Sequence, residues 1–99
     1  MFSKKKKSQK HEQELIEVLI SASKNEELFE AFLSELLTPG EYAEIATRWQ
    51  IVKRLAQGEP QRTIARDLGI GIATVTRGSR ELAKREGGFA AMVKKLKIK

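Results

Sequence analysis

Residues 61–79, QRTIARDLGIGIATVTRGS, constrain the fold more than any other stretch of this chain. Ile64, Leu68, Ile70 and Val75 fall where two short crossing helices need apolar contacts, and Ala65 falls where a larger side chain would collide. Gly69 can take the left-handed backbone that ends one helix and turns into the next. The spacing predicts a helix-turn-helix. Its second helix exposes Ile72, Ala73, Thr74, Thr76 and Arg77, which are small, methyl-bearing or cationic. Such side chains suit a helix entering the DNA major groove beside phosphates. A generic helical hairpin needs neither the small residue at the crossing nor the basic outer face.

Charge supports the same direction. The 99 residues carry a formal net charge of +6, which suits a polyanionic partner. The charge is uneven: residues 1–10 hold Lys4, Lys5, Lys6, Lys7 and Lys10 without an acid and read as a flexible basic tail. From His11 to Leu37 the balance reverses, with seven glutamates against Lys24. From Thr38 onward bases again outnumber acids about two to one. The cysteine count is zero, which excludes disulfides and thiolate chemistry. No apolar run approaches the roughly 20 residues of a membrane span, so a cytoplasmic protein, nucleoid-associated when on DNA, is expected. His11, the only histidine, has no nearby catalytic or metal-ligand partner, so no enzyme activity, metal or catalytic residue is expected.

Helix boundaries are punctuated by their caps. Glu14 to Ile20 forms the core of a first helix, and Ser23 with Glu26 has capping-box spacing for a second. Thr38-Pro39-Gly40-Glu41 combines a cap, a proline at the first helical position and an acid at the third. The third helix carries Tyr42, Ile45, Ala46, Trp49, Val52, Leu55 and Ala56 and ends at Gly58. Pro60 opens the helix-turn-helix, and residues 89–98 form a short last helix. The fold class is all-α with about six helices. One helical domain spans 11–99: dimerisation helices at 11–58, helix-turn-helix at 60–86, last helix at 89–98. The apolar stripes of the first two helices are wide for so short a chain, so they are expected to form a homodimer interface, interlocked or not, or else to fold back on a monomeric core.

Gly78 leaves two readings open. An interior helical glycine costs about 1 kcal/mol relative to alanine, so its retention needs a reason. In the first reading the missing side chain leaves a gap bordered by Arg77, with Arg48 approaching from the third helix. Two guanidinium planes then hold a flat ring, and Thr38 adds a hydroxyl. In the second, Gly78 permits close helix packing while Arg48 and Arg77 bind phosphate.

From Leu36 to about Leu82 the chain resembles the Trp repressor family, the tryptophan-dependent bacterial repressors. The resemblance rests on LLTP at 36–39, TRWQIV at 47–52, GE at 58–59, QR at 61–62 and GIATVTRGS at 71–79. It implies a six-helix intertwined homodimer bound to double-stranded operator DNA, with L-tryptophan as corepressor and no other cofactor. It implies the indole between Arg48 and Arg77, the ligand carboxylate on Arg77 and Thr38, and Leu37 and Gly78 bordering the site. The implied reading head comprises Gln61, Arg62, Gly71, Ile72, Ala73, Thr74 and Thr76, with Arg62 on guanine.

Some positions depart from the family pattern. Glu81 stands where a serine often receives the ligand ammonium; it can bind that ammonium more strongly or pair with Arg77 one turn earlier. Glu35 replaces a family leucine near the pocket, at a position where the resemblance implies a backbone carbonyl. The GEPQR turn is one residue short. Ala65 stands where a lysine is expected, so one phosphate contact is either lost or moved to Arg66. Three functions are therefore weighed: a tryptophan-activated repressor, a ligand-independent DNA-binding regulator in which Glu81 neutralises Arg77, and a helical protein-interaction adaptor.

Overall fold

Capping chemistry decides where each helix starts and stops. The computed structural model of the chain describes residues 7–99. Among these residues it forms six helices and no strand: α1 (Lys7–Ala22), α2 (Glu26–Leu36), α3 (Pro39–Ala56), α4 (Gln61–Leu68), α5 (Ile72–Leu82) and α6 (Gly88–Lys95). The fold is all-α. Helix α1 takes in Lys7 to Lys10, which the sequence assigned to the tail, while Lys4, Lys5 and Lys6 lie outside the described residues.

The capping box expected at Ser23 and Glu26 does not form. Ser23 Oγ donates to the Ile20 carbonyl at 2.7 Å, and Asn25 caps α2 by accepting from the Leu28 N–H at 2.9 Å. Asn25 is the better cap because its backbone is extended and its oxygen reaches the third residue inward. The box at α3 forms in both directions. Thr38 Oγ1 accepts from the Glu41 N–H at 3.1 Å, and Glu41 Oε1 accepts from the Thr38 N–H at 2.9 Å.

Helices α3, α4 and α6 end in the same left-handed motif. At Gly58 (φ 85°) and Gly69 (φ 66°) the glycine supplies the backbone, and at α6 Lys97 adopts φ 55°. Each is followed by a 6→1 bond to the helix end: Glu59 N–H to Arg54 O at 3.1 Å, Ile70 N–H to Ala65 O at 3.0 Å, and Ile98 N–H to Val93 O at 3.1 Å.

The chain divides into two units, residues 1–42 and 43–99. In the described part of the first, α1 packs on α2, yet only Ala22 is buried. Leu15, Ile16, Val18, Ile20, Leu28 and Leu36 remain exposed. The second unit holds a tight core of Ile51, Ile64, Ala65 and Val75, flanked by Leu55, Leu68 and Ile70. Ile51 falls outside the third-helix stripe that the sequence suggested; apolar residues occur on more than one face of α3, so spacing alone did not select it.

Candidate functional site

The α4–α5 pair is built around two side chains with no solvent exposure, Ile64 on α4 and Val75 on α5. Ala65 is also buried, as its place at the crossing requires, and Leu68 and Ile70 close the edge of the contact. Gly69 turns the chain between the helices. Its N–H reaches the Arg66 carbonyl at 3.2 Å while Ile70 reaches Ala65, so the helix-end carbonyls are satisfied within the turn.

With Val75 turned inward, the N-terminal face of α5 is left outward. Gly71, Ile72, Ala73 and Thr74 are exposed, and Thr76 is half-buried. Thr76 Oγ1 lies 2.8 Å from Gln61 Oε1 and 3.0 Å from the Ile72 carbonyl. Both are acceptors, and the hydroxyl proton serves them in turn. The bond to Gln61 joins the first residue of α4 to α5 and leaves the Gln61 amide N–H2 as a donor. Arg62 and Arg66 are exposed on α4. Arg66 Nε donates to Asp67 Oδ1 at 3.3 Å.

Glu59 and Asp67 share one cation. Both accept from Arg54, a residue that sequence reasoning did not single out. The guanidinium reaches Glu59 at 2.5 Å and Asp67 at 2.7 Å. These bonds, that of Glu59 first, raise the Arg54 pKa still further above its ordinary value. The Arg54 bond likewise holds Asp67 below the usual carboxylate value. The pairings span five and thirteen residues, which no helical spacing rule flags.

The residues assigned to a ligand pocket stand as follows. Gly78 does not border an empty gap on its inner face: a Cβ there would lie 2.9 Å from Ile51 Cγ2 and 3.8 Å from Leu55 Cδ1. The glycine makes room for the Ile51 side chain of α3. Arg48 is exposed and paired with Glu44 at 2.7 Å, one turn back on α3. Glu81 pairs with Lys84 at 2.8 Å and not with Arg77, correcting the suggested pair. The Lys84 hydrogen bond and charge hold Glu81 below its ordinary pKa, with Arg77 adding a lesser attraction. Among the described residues, no carboxylate lies within ion-pair distance of Arg77. Leu37 is half-buried at the end of α2, and exposed Thr38 caps α3 with its hydroxyl oxygen.

Comparison with known proteins decides the family. The family model described as Trp repressor protein matches residues 10–97. The chain belongs to the Trp repressor family. A Trp operon repressor homolog of Vibrio cholerae is 46% identical over 68 residues, covering 68% of this chain and 66% of the relative. One of Vibrio campbellii is 40% identical over 74 residues, covering 74% and 73%. A more distant homolog, of Chlamydia trachomatis, is 35% identical over 78 residues, covering 78% and 83%. Trp repressor proteins are transcriptional regulators and not enzymes, and this chain is placed with them. No helix among the described residues is long and apolar enough to cross a membrane.

Proposed function

We propose that the chain is a sequence-specific DNA-binding repressor whose affinity for its operator rises when L-tryptophan binds. The observation that carries this reading is the α4–α5 pair, rigidly joined through Ile64, Val75 and the Gln61–Thr76 bond, with the outer face of α5 uncovered. In this reading Ile72, Ala73, Thr74 and Thr76 enter the major groove, where methyl groups can meet thymine and hydroxyls the base edges. Arg62 reads guanine through its two-pronged fork. The Gln61 amide, Arg66 and the Gly71 N–H at the start of α5 meet phosphate.

Two such heads are needed for a palindromic site, spaced about 34 Å apart on successive major grooves. The exposed apolar residues of α1 and α2 supply the reason for an intertwined homodimer. The protein then works in the cytoplasm, where its operator is.

The ligand assignment rests on Arg77, whose guanidinium pairs with no carboxylate among the described residues and can take that of an amino acid. Arg48, Leu37, Thr38 and Gly78 are assigned with it on the family resemblance. Glu81, held ionised by Lys84, is the group suited to the ligand ammonium. Ligand binding that steadies the reading head tightens DNA binding, and linkage makes DNA tighten ligand binding by the same factor. Ile51 against Gly78 favours a second reading, in which α5 is seated on α3 without ligand and DNA binding needs no corepressor.

Calorimetric titration of tryptophan separates the two. Saturable heat that Arg77→Ala abolishes, with tighter binding to a selected duplex when tryptophan is present, is the expected result. No heat at several temperatures, with duplex discrimination intact, leaves the ligand-independent regulator. Equal binding to scrambled duplex overturns DNA reading altogether.

A further inference from the structure

Arg54 stands in the last turn of α3, just before Gly58 reverses the chain. Its Nε and Nη2 both donate to Glu59 Oε1, at 2.8 Å and 2.5 Å, and the same Nη2 donates to Asp67 Oδ2 at 2.7 Å. Glu59 lies in the connection between α3 and α4, and Asp67 is the last residue but one of α4. One guanidinium therefore ties together three successive pieces: the end of α3, the connection and the far end of α4. The main chain repeats the first link, since the Glu59 N–H donates to the Arg54 carbonyl at 3.1 Å.

The placement gives the contact mechanical leverage. Asp67 lies about 9 Å along the helix from Gln61, at a rise of about 1.5 Å per residue. A bond at that end constrains the direction of the α4 axis, whereas one near Pro60 would fix only its start. Pro60, at φ −65°, stiffens the same connection. The Arg54 side chain is only 19% exposed, whereas Arg48, Arg62, Arg66 and Arg77 are all exposed. A planar fork with several fixed donors can satisfy two carboxylates at once, which a lysine ammonium does with less geometric control.

We propose that Arg54 is a positioning residue of the reading head: by holding Glu59 and Asp67 together it sets the tilt of α4, and so aims Gln61 and Arg62. The proposal rests on the DNA-reading function proposed above. Arg54 itself touches no DNA. Its effect falls on discrimination between sequences, because tilt moves the Arg62 fork relative to a base edge while phosphate attraction survives small displacements.

The test uses the full chain, with Arg54→Gln, Arg54→Lys and the triple variant Arg54→Gln/Glu59→Gln/Asp67→Asn. The triple variant leaves no unpaired carboxylate and keeps the test alive if Arg54→Gln alone fails to fold. Two readouts are taken: amide hydrogen exchange across residues 61–68, and affinity for a duplex selected from a random pool against its scrambled form. Faster exchange in α4 is expected in Arg54→Gln and in the triple variant. Selected-duplex affinity should fall about tenfold, with scrambled-duplex affinity changing much less, and Arg54→Lys should recover part of the loss. Full discrimination and unchanged α4 exchange in the triple variant overturn the proposal, reducing Arg54 to a neutraliser of two acids. If the unaltered protein discriminates no duplex, the DNA reading falls. Exchange then decides the clamp alone, and unchanged protection in the folded variants overturns it too.

Discussion

Replacing Gly78 with alanine sets two effects of opposite sign against each other. Alanine is favoured over glycine by about 1 kcal/mol inside a helix, and Gly78 lies well within α5. On propensity alone the substitution stabilises. The added Cβ, however, would lie 2.9 Å from Ile51 Cγ2. Carbon pairs are most comfortable at about 3.5–4.0 Å, so one side must give by more than about half an ångström. Ile51 cannot give cheaply. It is 2% exposed, branched at Cβ, and packed in the same cluster as Ile64 and Val75. Overpacking of this kind costs about 1–3 kcal/mol, which outweighs the propensity gain and leaves a net loss of about 1 kcal/mol. For a domain of this size that lowers Tm by about 4–8 °C. The assay is thermal and urea unfolding at fixed protein concentration, because association with a second copy would shift the transition. A double-mutant cycle with Ile51→Ala locates the strain: the alanine at 78 should cost less, or stabilise, once the Ile51 methyl is gone. A raised Tm for Gly78→Ala in the otherwise unaltered chain would refute the reasoning, as would strict additivity in the cycle.

Gly69→Ala tests a different cause, since nothing lies within 4 Å of its would-be Cβ and only its left-handed backbone, at φ 66°, resists substitution. A loss of about 1–2 kcal/mol in urea unfolding is expected, and a change within a few tenths would show that the turn relaxes freely. Acid sensitivity follows from Glu41, whose pKa is lowered below 4.5 first by the Thr38 backbone N–H and then by the Thr38 hydroxyl. A carboxyl depressed on folding contributes stability that is present above 4.5 and disappears as pH falls through its folded value. Unfolding followed from neutral pH into that range should therefore show a shallower decline for Glu41→Gln; superimposable profiles would remove the capping box as a source of the pH dependence.

What could be read in the sequence were devices that only a few residues can provide. Thr38-Pro39 and Gly69 mark helix ends because few other side chains serve there, and α3 and the α4–α5 turn begin and end where they indicated. The contrast between Ser23 and Asn25 shows the limit. Both are good caps by composition, but Ser23 turns its hydroxyl back to the Ile20 carbonyl while Asn25, directly before α2, accepts from the Leu28 N–H, a matter of geometry one turn long. Gly78 was legible as a position needing explanation but not as a seat for Ile51, because contacts between distant helices carry no period. Arg54 was hidden for the same reason: its partners are set by the reversal at Gly58, so their separation in sequence follows no helical rule.

The division at Tyr42 also separates charge. Residues 1–42 hold six lysines against eight glutamates, whereas residues 43–99 hold thirteen cations against five acids. A polyanion diffusing toward the protein is thus drawn by residues 43–99 before any side chain touches it. For the duplex proposed above as partner, the encounter is therefore steered by residues 43–99. Added salt shortens the reach of this steering to about 8 Å at physiological ionic strength, which makes the rate of encounter, more than the tightness of the final fit, the quantity that the charge pattern governs.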